Sequence, residues 1–333
     1  MKKILVSPAA TPGKGYSNDY FVFLKKELSA HYEIIDPDNK GCRSQSLALL
    51  AGAFRADVAL LSFVETIAFH RFPRIQTNLA LAALQIMHWR GIKVVFFFHN
   101  PKPHKGENCY SRRLTDKLFQ VSDLVVCHSE NTAEIARERV GADRVLLVHH
   151  PMVSRPVPSS PGDFSRDVLI WGDIFPYKGV AEFVEDPSIA ASDLQIDIVG
   201  RCKDPALAQR IERCCSEHVR FRNERPSQEE VATLVLGSRY VLFPYLPGSI
   251  SGSGALMDTL SVGGTAVGPD AGAFHDLSLE GVCLTYRDRT ELVSLLLSNR
   301  RIDRDRIARF IRENSWSAFV DRIQSALKDS SCK

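Results

Sequence analysis

The sequence predicts an α/β protein made of two Rossmann-like domains whose parallel sheets face each other across a cleft. Three observations predict it. Short strand-like runs alternate with helical runs along the chain, the signature of parallel βαβ units. Several of those runs are continuously apolar, KVVFFF at 93–98 above all once past its opening lysine, as expected of a strand covered by helices on both faces. The alternation halts once, at PMVSRPVPSSPGD (151–163) with its four prolines, and then starts again. A chain of 333 residues accommodates about two domains of roughly 150 residues each. The expected division is 1–155, 164–303, and a terminal helix within 304–333 that packs back on the first domain.

In the first domain a β-rich run over 3–7 leads into a loop with Pro12-Gly13-Lys14-Gly15, a helical pattern over 18–29 and a strand over 32–35 that ends at Asp36. Gly13 and Gly15 supply two of the three glycines of a dinucleotide fingerprint, but the third position is Asn18 and the loop is long. The loop is therefore read as facing a ligand other than NAD. Strands follow over 57–63, 93–98, 124–127 and 145–148, with helices over 74–90 and 132–140. In the second domain, strands fall at 168–171, 196–199, 219–221, 240–243, 265–267 and 282–284. Helices are expected from Val180, near 206–216, from Ala255, and over 304–327 with Trp316 and Phe319.

The composition, 44% hydrophobic and 24% charged, belongs to a globular chain. A net charge of +3 neither demands nor excludes an acidic partner, and the arginine-rich stretches 201–225 and 300–312 read as solvated helix faces. Basic residues are not interleaved with aromatics, so no nucleic-acid partner is expected. The eight cysteines show no C-x-x-C pair and no metal-ligand spacing. The apolar run at the N-terminus is too short for a signal peptide, and no apolar segment reaches the ~18 residues that cross a bilayer. The expectation is a cytoplasmic protein with reduced thiols, with a peripheral contact at the inner membrane face left open.

Ligands of open α/β sheets bind beyond the carboxyl ends of the strands, so the strand-end loops hold the candidates. The richest is 241–276. A strand ending in Phe243-Pro244-Tyr245 leads to Ser251-Gly252-Ser253-Gly254 and directly into the helical run Ala255-Leu256-Met257-Asp258. The first N–H groups of a helix lack partners and carry its positive dipole end, so they attract an anion. Gly252 and Gly254 let a phosphate approach the backbone, and Ser251 and Ser253 add hydroxyl donors. With a helix start near Ser251, Asp258 falls on the same face one to two turns on, placed to accept hydrogen bonds from ribose hydroxyls. An ordinary capped helix under a glycine-rich turn has the same local sequence.

Three further strand ends carry chemistry. Lys178, in Phe175-Pro176-Tyr177-Lys178-Gly179, either offers a point charge to a phosphate or is a solvated surface lysine. Arg201, after the strand over 196–199, either forks onto phosphate or caps a surface. His99-Asn100-Pro101-Lys102-Pro103-His104 follows a core strand, so its histidines are not packing residues; they meet a substrate hydroxyl or solvent. Glu65, just beyond the strand over 57–63, is a cleft carboxylate or an exposed acid. The scattered histidines do not assemble a metal set, and there is no P-loop or G-x-S-x-G elbow.

In their order and spacing these motifs resemble the glycosyltransferases of the GT-B fold, family 4 (group 1) type. The match rests on Phe175 to Gly179 and Ser251 to Gly254, with Asp258 and Gly272 around them. The His99-Asn100-x-x-Pro103-His104 motif and Glu65 resemble a bacterial polysaccharide-synthesis branch, and Asn314-Ser315-Trp316 is similar to the segment before that family's terminal crossover helix. The resemblance covers nearly the whole chain. It departs at two places: Asp173 stands where the family usually has arginine, five residues before the lysine, and Ile250 and Asp258 stand where many members have two glutamates.

The resemblance implies a hexosyltransferase-type enzyme that moves a sugar from a nucleotide-diphosphate donor to a hydroxyl of a saccharide acceptor, with retention, in polysaccharide or glycan biosynthesis. It implies no metal and no other cofactor. A UDP-sugar is the favoured donor and a GDP-sugar the second; the acceptor is a saccharide or lipid-linked saccharide. His99 and Lys178 are the expected catalytic residues. Gly13, Gly15, Lys178, Arg201, Ser251, Gly252, Ser253, Gly254 and Asp258 are expected at the donor, and Glu65, Asn100 and His104 at the acceptor or the sugar. Two rivals stand beside this reading: a nucleotide-sugar epimerase on the same fold, and a non-catalytic nucleotide-sugar binding protein, suggested by Asp173 and the missing glutamate.

Overall fold

The apolar runs are strands buried on both faces. The computed structural model describes residues 1–8, 19–35, 44–99, 106–154, 164–246 and 253–329. Within them the chain falls into two compact units, one comprising Met1–His149 and Trp316–Lys333, the other His150–Ser315. Both are Rossmann-like α/β domains.

The first unit contains β1 (Lys3–Ser7), α1 (Asp19–Leu28), β2 (Glu33–Ile35), α2 (Gln45–Ala53), β3 (Val58–Ser62), α3 (Pro73–Trp89), β4 (Lys93–Phe97), α4 (Cys109–Val121), β5 (Leu124–Cys127), α5 (Glu130–Val140) and β6 (Val145–Leu147). Its sheet has the order β2-β1-β3-β4-β5-β6, with every neighbouring pair parallel. All five residues of β3 and all four of β5 are buried, which explains why no polar residue alternates along them. A 3₁₀ segment, Val64–Phe69, follows β3. Asn108 starts α4 with a capping box: its side chain accepts from the N–H groups of Tyr110 and Ser111, while Ser111 Oγ accepts from the Asn108 N–H.

The second unit contains β7 (Arg166–Trp171), α6 (Val180–Val184), α7 (Pro187–Ala190), β8 (Ile196–Val199), α8 (Pro205–Arg213), β9 (Val219–Arg222), α9 (Gln228–Leu236), β10 (Ser238–Leu242), α10 (Gly254–Ser261), β11 (Ala266–Pro269), α11 (Gly272–Leu279), β12 (Cys283–Tyr286), α12 (Arg289–Leu297) and α13 (Arg304–Glu313). Its all-parallel sheet runs β12-β11-β10-β7-β8-β9. The chain therefore builds outward from β7 to β9, returns, and builds outward the other way from β10. The reversal lies between β7 and β10, where an open sheet leaves a crevice at its carboxyl edge.

The helix expected over 304–327 is two helices. α13 ends at Glu313, and α14 (Trp316–Asp329) belongs to the first unit. Asn314 caps α13, its side chain donating to the Phe310 carbonyl at 3.0 Å. Its own carbonyl accepts from the Met152 N–H at 2.9 Å, and Ser315 forms an isolated parallel bridge with Met152. That pairing occupies the two residues between α13 and α14. α14 then docks on α1 through aromatic rings: Trp316 meets Tyr20 edge-on at 5.0 Å and stacks on Phe23 at 5.8 Å. Phe319 is buried beside Tyr20, His128 and Phe97. Tyr20 Oη and His128 Nε2 lie 3.1 Å apart in this cluster, and His128 Nδ1 lies 2.9 Å from the Val148 carbonyl.

Candidate functional site

In the second unit the site forms where the loops after β7 and β10 meet. The β7 loop continues the sheet briefly: the Gly172 N–H donates to the Val199 carbonyl at 3.1 Å and the Ile174 N–H to the Arg201 carbonyl at 2.9 Å. A 3₁₀ turn, Pro176–Lys178, then ends at Gly179, whose φ of 65° is left-handed. A Cβ at Gly179 would collide with the Pro244 carbonyl. Only glycine satisfies both the backbone angle and this approach, so the Lys-Gly pair is dictated by packing as well as by chemistry. The Leu246 N–H donates to the Tyr177 carbonyl at 2.9 Å and closes the two loops onto each other.

Lys178 is held inside this junction. Its Nζ lies 5.7 Å from the centroid of the Tyr245 ring, and a Cβ built on Gly172 would sit 3.6 Å both from that Nζ and from Ala255 Cβ. Lysine, the Gly172 turn and the first turn of α10 thus converge. Burial pushes the ammonium pKa down to about 8, and the Asp173 carboxylate works against that shift. Among the described residues, Nζ has no hydrogen bond and no ion pair.

The helical run expected from Ala255 begins at Gly254, with Ser253 as its N-cap. The Ser253 hydroxyl accepts from the Leu256 N–H at 3.3 Å and lies 3.0 Å from Tyr245 Oη, so this serine is engaged in holding the helix start. Gly254 is exposed, and a Cβ there would meet nothing within 4 Å. Among the described residues, the space beside Gly254 is therefore open. Trp171 at the end of β7 donates from Nε1 to Thr259 Oγ1 at 2.9 Å, and Thr259 Oγ1 donates to the Ala255 carbonyl at 2.8 Å. These bonds fix α10 against β7. Asp258 is half-buried on α10, one turn past Gly254.

Arg201 extends from the neighbouring strand end. Its Nη2 lies 3.4 Å from Asp173 Oδ2, a loose single contact. Asp173 Oδ1 and Arg201 Nε are buried without a hydrogen-bond partner among the described residues. A guanidinium with an unsatisfied buried donor can still take an anion oxygen.

In the first unit, Glu65 and His99 line one cavity of about 190 Å³, together with Phe63, Phe98, Glu107 and Arg112. His99 stacks on Phe63 with ring centroids 4.7 Å apart and planes 10° apart. Phe63 has a left-handed φ of 53°, which costs roughly 1 kcal/mol and turns its ring under the histidine. Burial raises the Glu65 carboxyl to about 7, against a lowering by its hydrogen bond to backbone. The polar partners are Arg112 of α4 and Glu107, the residue before its cap; Leu114, Leu118 and Val121 signal that helix at helical spacing. Tyr245, Trp171 and Thr259 also escape sequence reading, because their roles arise from contacts between distant segments. Gly13, Gly15, Asn100, His104, Ser251 and Gly252 lie outside the described residues, as do Asp36 and Ile250.

No protein-family model matches the chain. No curated protein sequence matches it either. Solved structures match its fold along nearly its whole length. HepE of Anabaena, in complex with UDP and glucose, superimposes with a TM-score of 0.67 at 14% identity, covering 99% of this chain and 100% of that one. AviGT4, a glycosyltransferase of avilamycin A biosynthesis, gives 0.63 at 14% identity over 98% and 97% of the two chains. A trehalose-6-phosphate protein from E. coli bound with UDP-2-fluoro glucose gives 0.62 at 12% identity over 98% and 99%. At these identities the likeness is one of fold, and the fold is that of the GT-B glycosyltransferases.

Proposed function

We propose that the protein is a glycosyltransferase that moves a sugar from a nucleotide-diphosphate donor, a UDP-sugar first, to a hydroxyl of a saccharide acceptor. The observation that carries the proposal is the convergence of Lys178, the Gly172 turn and the first turn of α10 at the sheet's point of reversal. An ammonium and a helix dipole aimed at one spot fit a diphosphate. The solved structures of like fold support the reading, since HepE holds UDP and UDP-glucose. A trehalose-6-phosphate synthase of like fold is described as transferring with retention, and we carry retention to this chain as part of the proposal.

In the reaction, the bond from the anomeric carbon to the β-phosphate oxygen breaks and the acceptor oxygen bonds that carbon. The acceptor proton leaves with the diphosphate. Negative charge grows on the departing phosphate, and preorganised donors lower the barrier by meeting it there. We assign Lys178, Arg201 and the 251–254 turn to the diphosphate and Asp258 to ribose. Glu65 and His99, with Asn100 and His104, are assigned to the sugar or the acceptor, and so, in this proposal, are Gly13 and Gly15. Turnover is proposed to need no divalent metal, and the product to enter polysaccharide or glycan synthesis.

Thermal shift against UDP, GDP, ADP and their sugar conjugates, with and without magnesium, tests the assignment. UDP should stabilise the protein regardless of magnesium, and Lys178→Ala should lower turnover by ~10²-fold, the scale of one lost transition-state donor. Silence across the nucleotide panel would sink the proposal. Donor consumed at full rate without any acceptor, and without hydrolysis, would replace transfer with epimerisation.

A further inference from the structure

We propose that the acceptor is an amino sugar, and that Glu65 holds its ammonium group in the cavity it shares with His99. The inference rests on the reading of that cavity as the acceptor's, and it names the chemistry the acceptor carries. The cavity, about 190 Å³, is smaller than the roughly 300–1,000 Å³ that drug-sized ligands occupy, so it takes one sugar ring rather than a chain of them.

The charges of this cavity do not balance. Among the described residues, the carboxylates of Glu65, Glu107 and Asp116 line it, against the guanidinium groups of Arg112 and Arg139. Each arginine already has an acid of its own. Arg112 Nε lies 3.3 Å from Glu107 Oε2, and Arg139 Nη1 lies 2.7 Å from Asp116 Oδ1, both pairs being exposed. Glu65 is left over. It is half-buried, no described cation pairs with it, and the hydrogen bond that favours its charged form comes from its own backbone.

The surroundings make that charge costly. Phe96, Phe98 and Phe119 pack together in the cavity wall, with ring centroids 5.1, 5.3 and 5.7 Å apart. A carboxylate beside such rings loses hydration and gains no partner in return. An ammonium group answers both conditions, because it pairs with the carboxylate and is attracted by aromatic faces. Phe63, two residues before Glu65, adds a left-handed backbone, a kind of strain that gathers at ligand sites. The arrangement also serves the chemistry. A protonated amine has donors and no lone pair, so it anchors the sugar and leaves a hydroxyl to react.

Saturation-transfer NMR at constant ionic strength compares glucosamine with glucose and N-acetylglucosamine, and thermal shift with the nucleotide panel is run on the same full chain. At about pH 7.5 glucosamine should bind about tenfold or more tightly than either neutral sugar, the gain expected of a charge-assisted bond. E65Q should abolish that preference and keep its melting temperature. The pH profile of the wild type is a second reading that needs no variant. Pairing requires Glu65 ionised, with its pKa of about 7, and the amine protonated, with an ordinary value near ~8. Glucosamine should therefore bind best between about pH 7 and 8 and weaken on both sides, about tenfold by pH 5.5. His99, Glu107, Arg112, Asp116 and Arg139 face the same space, and His99 also gains charge as pH falls. An acid limb that survives in E65Q thus belongs to His99 and overturns the role of Glu65. Equal binding of the three sugars, or binding of none, overturns the inference as well. The two readings fail separately: a UDP shift without a glucosamine preference overturns this inference alone, and no response to any nucleotide sinks the transferase reading whatever the sugars do.

Discussion

Lys178 shows how one residue's surroundings set its chemistry. An ammonium with a pKa near 8 is charged at neutral pH and loses its proton just above it. A bound diphosphate favours the charged form, so the affinity for UDP should be level below about pH 7.5 and fall as pH rises past about 8. Calorimetric titration across that range checks this, and Lys178→Ala should flatten the profile as well as lower the affinity. Glu65 carries the opposite consequence for stability. Its folded pKa of about 7 lies above the ordinary 4.5, so the folded state binds the proton more tightly than the unfolded chain does. Below pH 4.5 both states are protonated and there is no penalty; the penalty grows through the interval and is complete above about 7. Glu65→Gln should therefore raise stability at pH 8, by an amount on the order of 1–3 kcal/mol, and leave it unchanged at pH 4. Urea denaturation at the two pH values decides the sign.

Among the elements, strands and helix starts differ in how openly the sequence declares them. The runs VALLS and KVVFF each hold four consecutive apolar residues, and the structure makes them β3 and β4 with almost every residue buried. Lys178 and the start of α10 were legible because each is a local motif at a strand end. α2, read as QSLALLAGA, was not: it has apolar residues on all sides, hence no 3.6-residue period to detect. The break between α13 and α14 was equally hidden, since a helical pattern runs through it and the residues at the interruption pair with Met152, far away in sequence. Close approach between loops is likewise invisible until the fold exists. Gly179→Ala should be costly, on the order of 2–4 kcal/mol, because a left-handed φ and the Pro244 carbonyl both exclude a methyl group. Loss of UDP binding together with stability in that variant is the expected outcome. At α14, Trp316→Ala should remove about 3 kcal/mol of packing against Tyr20 and Phe23, measured by denaturant unfolding.

For the whole molecule, two units with separate cores imply a ligand response confined to one of them. UDP at ~100 times its dissociation constant should add about 2.7 kcal/mol to the state that binds it. Hydrogen exchange should then slow at 172–179 and 253–258 and stay unchanged along α2 and α3. Protection spread evenly over both units would contradict the placement of the nucleotide. The path of the chain has its own consequence, felt before the protein is ever finished. All of the second unit lies between His149 and Trp316, the two points where the chain leaves and re-enters the first. A ribosome adding roughly 5–20 residues per second would release the first unit's six strands and then make another domain for ~10–30 seconds before α14 emerges. During that interval Tyr20, Phe97 and His128 stand without the rings of Trp316 and Phe319 that bury them. The domain that starts first is completed last, and the nascent chain carries an open aromatic socket that waits for its own final helix.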